Sequence, residues 1–340
     1  MNPKIEDMLN QHLEKRLKLL GGLPYFNYNG LAPIVQNGKW GFITPDGQFA
    51  IEPQFDKVFF FTEQMAAIMD KGKWGFIDSD GNLIIEPRFA DSHMFFEGLA
   101  GVKDSKSQKW GFINTKGQFQ IEPIYDMVTG FSEGYASVKS GEYWQIIDKS
   151  GNKLTDEKFE DLSVFAEGFC FYKKNNLWGV LDNTGTLIIN QKYKDFKEQT
   201  KLFYFYCENS APVCINGIWG FIGHDGNWMV EPQFSMANVY SEGFAGVVKN
   251  GLWGFIDEKG KTAIDFQFDS VLVFTEGLCG FSKNKKWGYI DRTGKIVIDA
   301  VFDMALGFSG GIAYTLKDNT IGFIDKQGQY VWKNQKSSSS

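Results

Sequence analysis

The chain has 340 residues, of which 43% are hydrophobic and 22% are charged. This apolar content excludes an intrinsically disordered chain, and a net charge of −6 gives little attraction for the phosphate backbone of a nucleic acid. An aromatic share of 16%, with 38 glycines and only 9 prolines, favours short strands joined by tight turns. The composition therefore predicts an all-β protein that does not bind nucleic acids.

Residues 1–22 form the first predicted element, an amphipathic helix. Apolar residues recur every three or four positions from Ile5 to Leu20, and Gly21-Gly22 suits the end of a helix. We expect this helix to cap the first β unit, with a membrane-surface or dimerisation helix as the alternative. Charges interrupt the segment, so it does not read as a secretory signal, and no run of about 18 apolar residues predicts a transmembrane helix. The expected location is the cytoplasm, although specialised secretion would escape this test.

A repeat with a period of 34 residues occupies residues 24–332. Its anchor is a Trp-Gly dipeptide or a degenerate form of it, and successive anchors lie 34, 36, 34, 34, 41, 34, 34 and 34 residues apart. A glycine follows each anchor at a distance of seven residues. Eight of the nine anchors carry tryptophan: Trp40, Trp74, Trp110, Trp144, Trp178, Trp219, Trp253 and Trp287. This regularity predicts a tandem array of nine units, followed by a polar, flexible tail at 333–340.

The consensus of the unit is F-x-E-G-L-A-x-V, a turn, K-W-G-F-I-D-x-x-G, and then I-E-P-x-F-D. It resembles the WG-repeat family, whose tandem β repeats are found mostly in bacterial proteins. Unit four departs from the pattern with Trp144-Gln145 and lacks the E-P pair, unit five carries Asn190-Gln191 in its place, and unit nine has lost its tryptophan. The resemblance implies a β-rich interaction array with no shared catalytic site.

Each unit predicts three short strands joined by hairpins, in which D-x-x-G forms one of the turns. In W-G-F-I both faces of the strand look buried: Trp74 packs on one side, while Gly75 admits a close neighbour on the other. The meanders must therefore stack on one another. We expect an open, solenoid-like or superhelical stack, because propellers typically have about four to eight blades and the two ends of the array show no sign of closure. A β-propeller is the alternative.

The recurrent glutamate before glycine, as at Glu63 and Glu97, is the most conspicuous polar residue of the unit. A ladder of carboxylates could bind cations, but a repeated acid is better explained as a partner for backbone N–H groups at the corner between units. The three histidines and four cysteines lack metal-ligand spacing, and no nucleotide-binding or hydrolase motif occurs. We therefore expect no cofactor, no metal and no catalytic residue.

The largest break in the repeat is a seven-residue insertion within 194–207. Aromatic residues dominate the hot spots of protein interfaces, and lysines around them suit an acidic partner surface. The candidate partner-binding residues are therefore Phe196, Phe203, Tyr204, Phe205, Tyr206, Lys197 and Lys201. Additional core filling is the alternative interpretation of the same residues.

The sequence as a whole favours a non-catalytic scaffold for protein–protein interaction. The alternative is a glycan or cell-envelope binding array, in which the faces of the repeated tryptophans stack on sugars. Burial of the tryptophans distinguishes the two hypotheses, because a buried ring offers no face to a ligand. An unrecognised hydrolytic site is a third possibility, since folding can bring two carboxylates together.

Overall fold

The computed structural model describes residues 30–44, 46–193 and 207–333, and these are almost entirely β structure. They form nine antiparallel sheets, each completed before the chain enters the next. The described ranges contain no helix, and therefore no helix that is long and apolar enough to cross a membrane. The all-β prediction is confirmed. The predicted helix at 1–22 and nearly all of the predicted tail lie outside the described residues.

Each sheet is a meander of three or four strands, and we number the sheets as blades one to nine in chain order. Blades one to three contain β1 (Ala32–Gln36), β2 (Lys39–Ile43), β3 (Phe49–Phe55), β4 (Lys57–Thr62), β5 (Met65–Asp70), β6 (Lys73–Ile77), β7 (Leu83–Phe89), β8 (Asp91–Phe96), β9 (Leu99–Lys103), β10 (Trp110–Asn114) and β11 (Phe119–Tyr125). Blades four to six contain β12 (Met127–Val128), β13 (Tyr135–Ser140), β14 (Tyr143–Asp148), β15 (Asp161–Leu162), β16 (Phe169–Lys174), β17 (Leu177–Asp182), β18 (Leu187–Tyr193), β19 (Ser210–Ile215), β20 (Ile218–Gly223) and β21 (Trp228–Phe234). Blades seven to nine contain β22 (Met236–Ser241), β23 (Phe244–Lys249), β24 (Leu252–Asp257), β25 (Thr262–Phe268), β26 (Ser270–Thr275), β27 (Leu278–Lys283), β28 (Lys286–Asp291), β29 (Ile296–Phe302), β30 (Met304–Ala305), β31 (Ile312–Lys317), β32 (Thr320–Asp325) and β33 (Tyr330–Lys333).

In seven of the nine described sheets an additional first strand, which the sequence did not reveal, precedes the predicted ones. In blade three it is β8, and the sheet order is β11-β10-β9-β8. These first strands lack a clear alternation of apolar and polar residues, because neighbouring blades pack against them; β4, for example, contacts β8. The last strands are mostly exposed, as β7 is at four of its seven positions. The first strands therefore lie toward the centre of the assembly and the last strands lie at its rim.

The nine blades close into a ring. The glycine of each D-x-x-G-type turn faces an apolar residue near the end of the preceding blade: Gly81–Ile51, Gly117–Ile85, Gly151–Ile121, Gly185–Leu154, Gly226–Ile189, Gly260–Val230, Gly294–Ile264 and Gly328–Ile298. Gly47 of blade one occupies the same position against Val331 of blade nine. Ala32 also shares a buried cluster with Tyr314 and Phe323 of blade nine.

The predicted open, solenoid-like or superhelical stack is therefore wrong, and the fold is a nine-bladed β-propeller, the alternative prediction. The physical reason is that blade nine covers blade one at the turn glycine Gly47 and in the cluster around Ala32, as each other blade covers the turn glycine of the next. A closed ring has no uncovered end meander. The helix at 1–22 was predicted to cap the uncovered end of an open array, and the closed ring leaves no such end.

Aromatic pairs between neighbouring blades form much of the core. The ring two residues after the anchor packs on an aromatic ring in or just after the first strand of the next blade. The ring centroids are 4.7–5.0 Å apart in the pairs Phe42–Phe61, Phe76–Phe95, Phe112–Phe131, Phe221–Tyr240, Phe255–Phe274 and Tyr289–Phe308. Tilted and edge-on geometries of this kind are favoured by the ring quadrupole. A single meander cannot bury both of its faces, so each blade depends on its neighbours.

The glycine of the Trp-Gly anchor allows the last strand of the blade to pass directly over it. A Cβ atom added to Gly75 would lie 2.5 Å from the carbonyl oxygen of Ile85 and 2.7 Å from the nitrogen of Pro87. The register of β6 and β7 shifts at this point, between the pairs Trp74–Phe89 and Phe76–Ile85. The predicted close neighbour on the glycine side of the strand is confirmed, and it is the backbone of the same blade.

Candidate interaction surface and ligand groove

The recurrent glutamates form a ladder that joins neighbouring blades. Each carboxylate accepts a backbone N–H bond from the equivalent turn of the next blade, at 2.7–3.1 Å. The donors and acceptors are Gly98 to Glu63, Gly134 to Glu97, Gly168 to Glu133, Asn209 to Glu167, Gly243 to Glu208, Gly277 to Glu242 and Gly311 to Glu276. These glutamates have φ between 48° and 54°, a left-handed conformation that is unfavourable without such compensation. The repeated glutamate therefore has a structural role, because its carboxylate holds a backbone turn of the next blade. The sequence analysis favoured this interpretation.

A second ladder uses the lysine before the anchor and the aspartate of the F-D step. Ion pairs join Lys39 to Asp56 at 2.7 Å and Lys109 to Asp126 at 2.5 Å. The other Asp126 carboxylate oxygen accepts the N–H of Gly141 in the next blade at 2.8 Å. The lysine bond and that backbone bond hold the pKa of Asp126 below its usual value. Both sets of repeated charges are thus engaged in holding blades together.

The tryptophan anchors are core residues. Six of them have exposed fractions of only 1–9%, namely Trp40, Trp74, Trp110, Trp178, Trp219 and Trp253. Phe59 stacks on Trp74 with a centroid distance of 5.0 Å, and His93 covers Trp110 in the same way at 4.5 Å. Trp144 and Trp287 are half-buried. The repeated tryptophans therefore do not offer a row of open faces to a sugar chain.

The predicted partner-binding residues lie outside the described part of the chain. They are Phe196, Lys197, Lys201, Phe203, Tyr204, Phe205 and Tyr206. Their role stays a prediction.

Blade four breaks the symmetry of the ring in a way that has a local cause. Gln145 stands where the other Trp-anchored units carry glycine, and in those units the last strand passes too close to that glycine to leave room for a side chain. The pairing of Trp144 with Phe159 and of Ile147 with Lys153 survives as isolated bridges. The segment between these bridges forms no strand, and the described sheet of blade four therefore lacks a regular last strand.

This irregular segment lines an open groove of about 690 Å³ together with Lys174 of blade five. Tyr143, Thr155, Asp156, Glu157, Lys158 and Lys174 line it. Tyr143 replaces the lysine of the second ladder and is 44% exposed. Lys174 of blade five forms an ion pair with Glu157 at 2.5 Å, and the Lys158 ammonium lies 5.9 Å from the centre of the Tyr143 ring. Sequence reasoning recorded the two departures of unit four but did not connect them with a groove.

Large apolar residues also remain exposed along the rim, at the first two positions of the last strands. We call this set the rim belt: Phe49, Leu83, Ile84, Ile188, Met229, Ile296, Val297 and Tyr330, with exposed fractions of 36–49%. Each lies on a strand that forms one edge of its sheet. An exposed apolar edge strand invites pairing with another chain.

The cysteines show no sign of activation. Burial raises the pKa of the Cys170 thiol to about 12 and that of Cys207 to about 11, and it raises the pKa of Cys279 further still. A protonated thiol is a poor nucleophile and a poor metal ligand. Within the described ranges, no group of three or more His, Cys, Asp or Glu side chains is placed to hold a metal ion.

The family described as WG containing repeat matches residues 24–40, 40–74, 74–105, 110–144, 146–178, 219–253, 253–287 and 287–320. The chain belongs to the WG-repeat family. The resemblance inferred from the sequence motifs is thereby confirmed. No curated protein matches this WG-repeat chain.

Solved structures resemble this WG-repeat protein in fold. The crystal structure of a eukaryotic initiation factor matches with a TM-score of 0.65 and 11% identity, over 89% of this chain and 94% of that chain. Dihydro-heme d1 dehydrogenase NirN matches with a TM-score of 0.47 and 11% identity, over 89% and 72% of the two chains. Hsv2 of Kluyvelomyces marxianus matches with a TM-score of 0.40 and 10% identity, over 73% and 98%. At 11% identity, the similarity to the initiation factor concerns the fold alone.

Proposed function

We propose that this WG-repeat propeller is a non-catalytic scaffold for protein–protein interaction. The observation that carries the proposal is the rim belt. Apolar side chains at a sheet edge promote unwanted association, so most proteins cover or charge such edges. A belt that recurs on six blades is consistent with a surface that a partner covers.

Blade eight offers the most favourable docking edge of the belt. Ile296, Val297 and Val301 are all exposed on β29. The E-P pair of blades one, two, three and six is Asp299-Ala300 here, so this strand keeps a backbone N–H where β7 has proline. An extended partner segment can therefore add to this edge by main-chain hydrogen bonds and apolar contacts.

The test compares capture of proteins from the native cell by two matched variants. Ile296→Lys with Val297→Lys places two charges on the edge of blade eight. Thr262→Lys with Ala263→Lys places the same charges at the equivalent exposed positions of blade seven, which lack large apolar side chains. We expect quantitative mass spectrometry to find a specific protein at least tenfold depleted with the first variant and retained with the second. Equal capture by both variants, or no protein enriched by the wild-type chain, would refute the proposal.

A further inference from the structure

The groove of blade four coincides with two departures from the repeat consensus. Gln145 stands at the anchor position that is glycine in blades two and three, where the backbone from Ile85 to Pro87 and from Ile121 to Pro123 lies directly over that glycine. Tyr143, two residues earlier on the same strand, places an aromatic ring in the lining of the groove. The groove has a volume of about 690 Å³ and is open to solvent, so a ligand bound there stays partly exposed.

The charges of the groove balance, and this decides between ligand classes. Asp156 and Glu157 contribute two carboxylates, while Lys158 and Lys174 contribute two ammonium groups. The Glu157–Lys174 ion pair at 2.5 Å neutralises one of each. The carboxylates repel an anionic ligand and the lysines repel a cationic one. Because the four charges sum to zero, neither kind of ligand is attracted by a net charge. The groove therefore suits a neutral ligand.

A neutral ligand must nevertheless form hydrogen bonds with the carboxylate, ammonium and hydroxyl groups that line the groove. Carboxylates accept hydrogen bonds, ammonium groups donate them, and the Thr155 hydroxyl does both. A ligand with many hydroxyl groups can satisfy this mixture, and the apolar face of a pyranose ring can pack on an exposed aromatic ring such as that of Tyr143. A hydrocarbon ligand would leave the same polar groups without partners at a cost in affinity.

We infer that the groove between blades four and five binds a neutral oligosaccharide, with the Tyr143 ring as the packing surface. Asp156 and Glu157 accept hydroxyl hydrogen bonds, and Lys158 and Lys174 donate to sugar oxygens. This site uses none of the repeated tryptophans, whose faces are buried. It lies on a different blade from the proposed docking edge of blade eight, so the inference stands or falls independently of the scaffold function.

The experiment uses the full chain and a panel of neutral hexasaccharides built from glucose, xylose, mannose, galactose or N-acetylglucosamine. Saturation-transfer NMR and calorimetry report binding. We expect at least one of them to bind, Tyr143→Ala to weaken it at least tenfold, and Tyr143→Phe to retain it. Leu252→Ala is the matched control, because Leu252 occupies the same repeat position in blade seven and is exposed to a similar extent.

A second variant tests the origin of the groove without changing its lining. Gln145→Gly restores the space for the strand to pass and should close the groove, with the same loss of binding as Tyr143→Ala. Absence of binding by the whole panel would overturn the inference. Equal affinity of wild type and Tyr143→Ala, or tighter binding of a heparin-derived hexasaccharide or an extended peptide than of any neutral sugar, would also overturn it.

Discussion

Replacing Gly75 by alanine tests the contact that the fold places over every intact Trp-Gly anchor. The added Cβ would meet three backbone atoms of the last strand at 2.5, 2.7 and 2.9 Å. An ordinary contact needs about 3.5 Å, so the strand must move by roughly 1 Å. Overpacking of this kind costs about 1–3 kcal/mol, and disturbing the adjacent ladder costs about 1 kcal/mol for each hydrogen bond. Reduced freedom of the unfolded chain returns about 0.4–1 kcal/mol.

We therefore expect Gly75→Ala to lower the free energy of unfolding by about 3 kcal/mol, measured by urea unfolding with tryptophan fluorescence. Gly72→Ala is the matched control. Gly72 lies in the preceding turn with a φ of +74° and no atom within 4 Å of an added Cβ, so alanine there meets backbone strain alone, about 1–2 kcal/mol. If the two variants lose the same stability, the last strand does not pass over Gly75 as closely as described, and the explanation of blade four fails with it.

Three further predictions concern the core, the clamps and the thiols. Trp253→Ala should lower the free energy of unfolding by about 3–5 kcal/mol, since it empties a buried aromatic site, and a loss below about 1 kcal/mol by the same assay would indicate an exposed ring. Burial raises the pKa of Glu97, but bonds from Lys149 and from a backbone N–H of the next blade outweigh it and lower the pKa below the ordinary 4.5. A lowered carboxyl pKa stabilises the fold above its unfolded value and loses that contribution as the pH falls. The urea midpoint should therefore fall below about pH 4.5 less steeply in Glu97→Gln than in wild type, and identical slopes would contradict this role. Cys170 and Cys279 should resist a thiol reagent at pH 8 until the chain unfolds, and rapid labelling of the native protein would show that they are accessible.

The local features of the repeat could be predicted because each depends on a few neighbouring residues. The D-x-x-G turn is an example: the Asp78 carboxylate accepts the N–H bonds of Asp80 and Asn82 at 3.0 and 2.8 Å, and Gly81 has a φ of +84°. The close neighbour of Gly75 was predicted for the same reason. The backbone-binding role of Glu97 was predicted from the recurrence of the glutamate, since its partner Gly134 lies in the next blade. The first strand, which seven blades have, was missed because neighbouring blades pack against it and its sequence shows no clear alternation.

The groove could not be predicted from the pattern alone. Gln145 and the missing E-P pair looked like independent losses of consensus, whereas in the other blades the glycine at the first position lies directly under the strand that contains the second. Lys174 comes from the next blade, and its position beside Glu157 depends on how blades four and five pack. A rule that pairs each anchor glycine with the residues ten to twelve positions later would have shown that both departures fall at one contact.

The sequence by itself determined the repeating unit, its turns, its buried anchors and the need for neighbouring units to cover one another. It did not determine whether the array closes, because each 34-residue unit encodes the same contacts with its neighbours and none of them records how many units precede it. Closure depends on the angle between successive blades, set by packing such as that of Phe42 on Phe61, and summed over nine junctions. Only the tertiary structure shows that this sum brings Val331 against Gly47, from opposite ends of the repeat array.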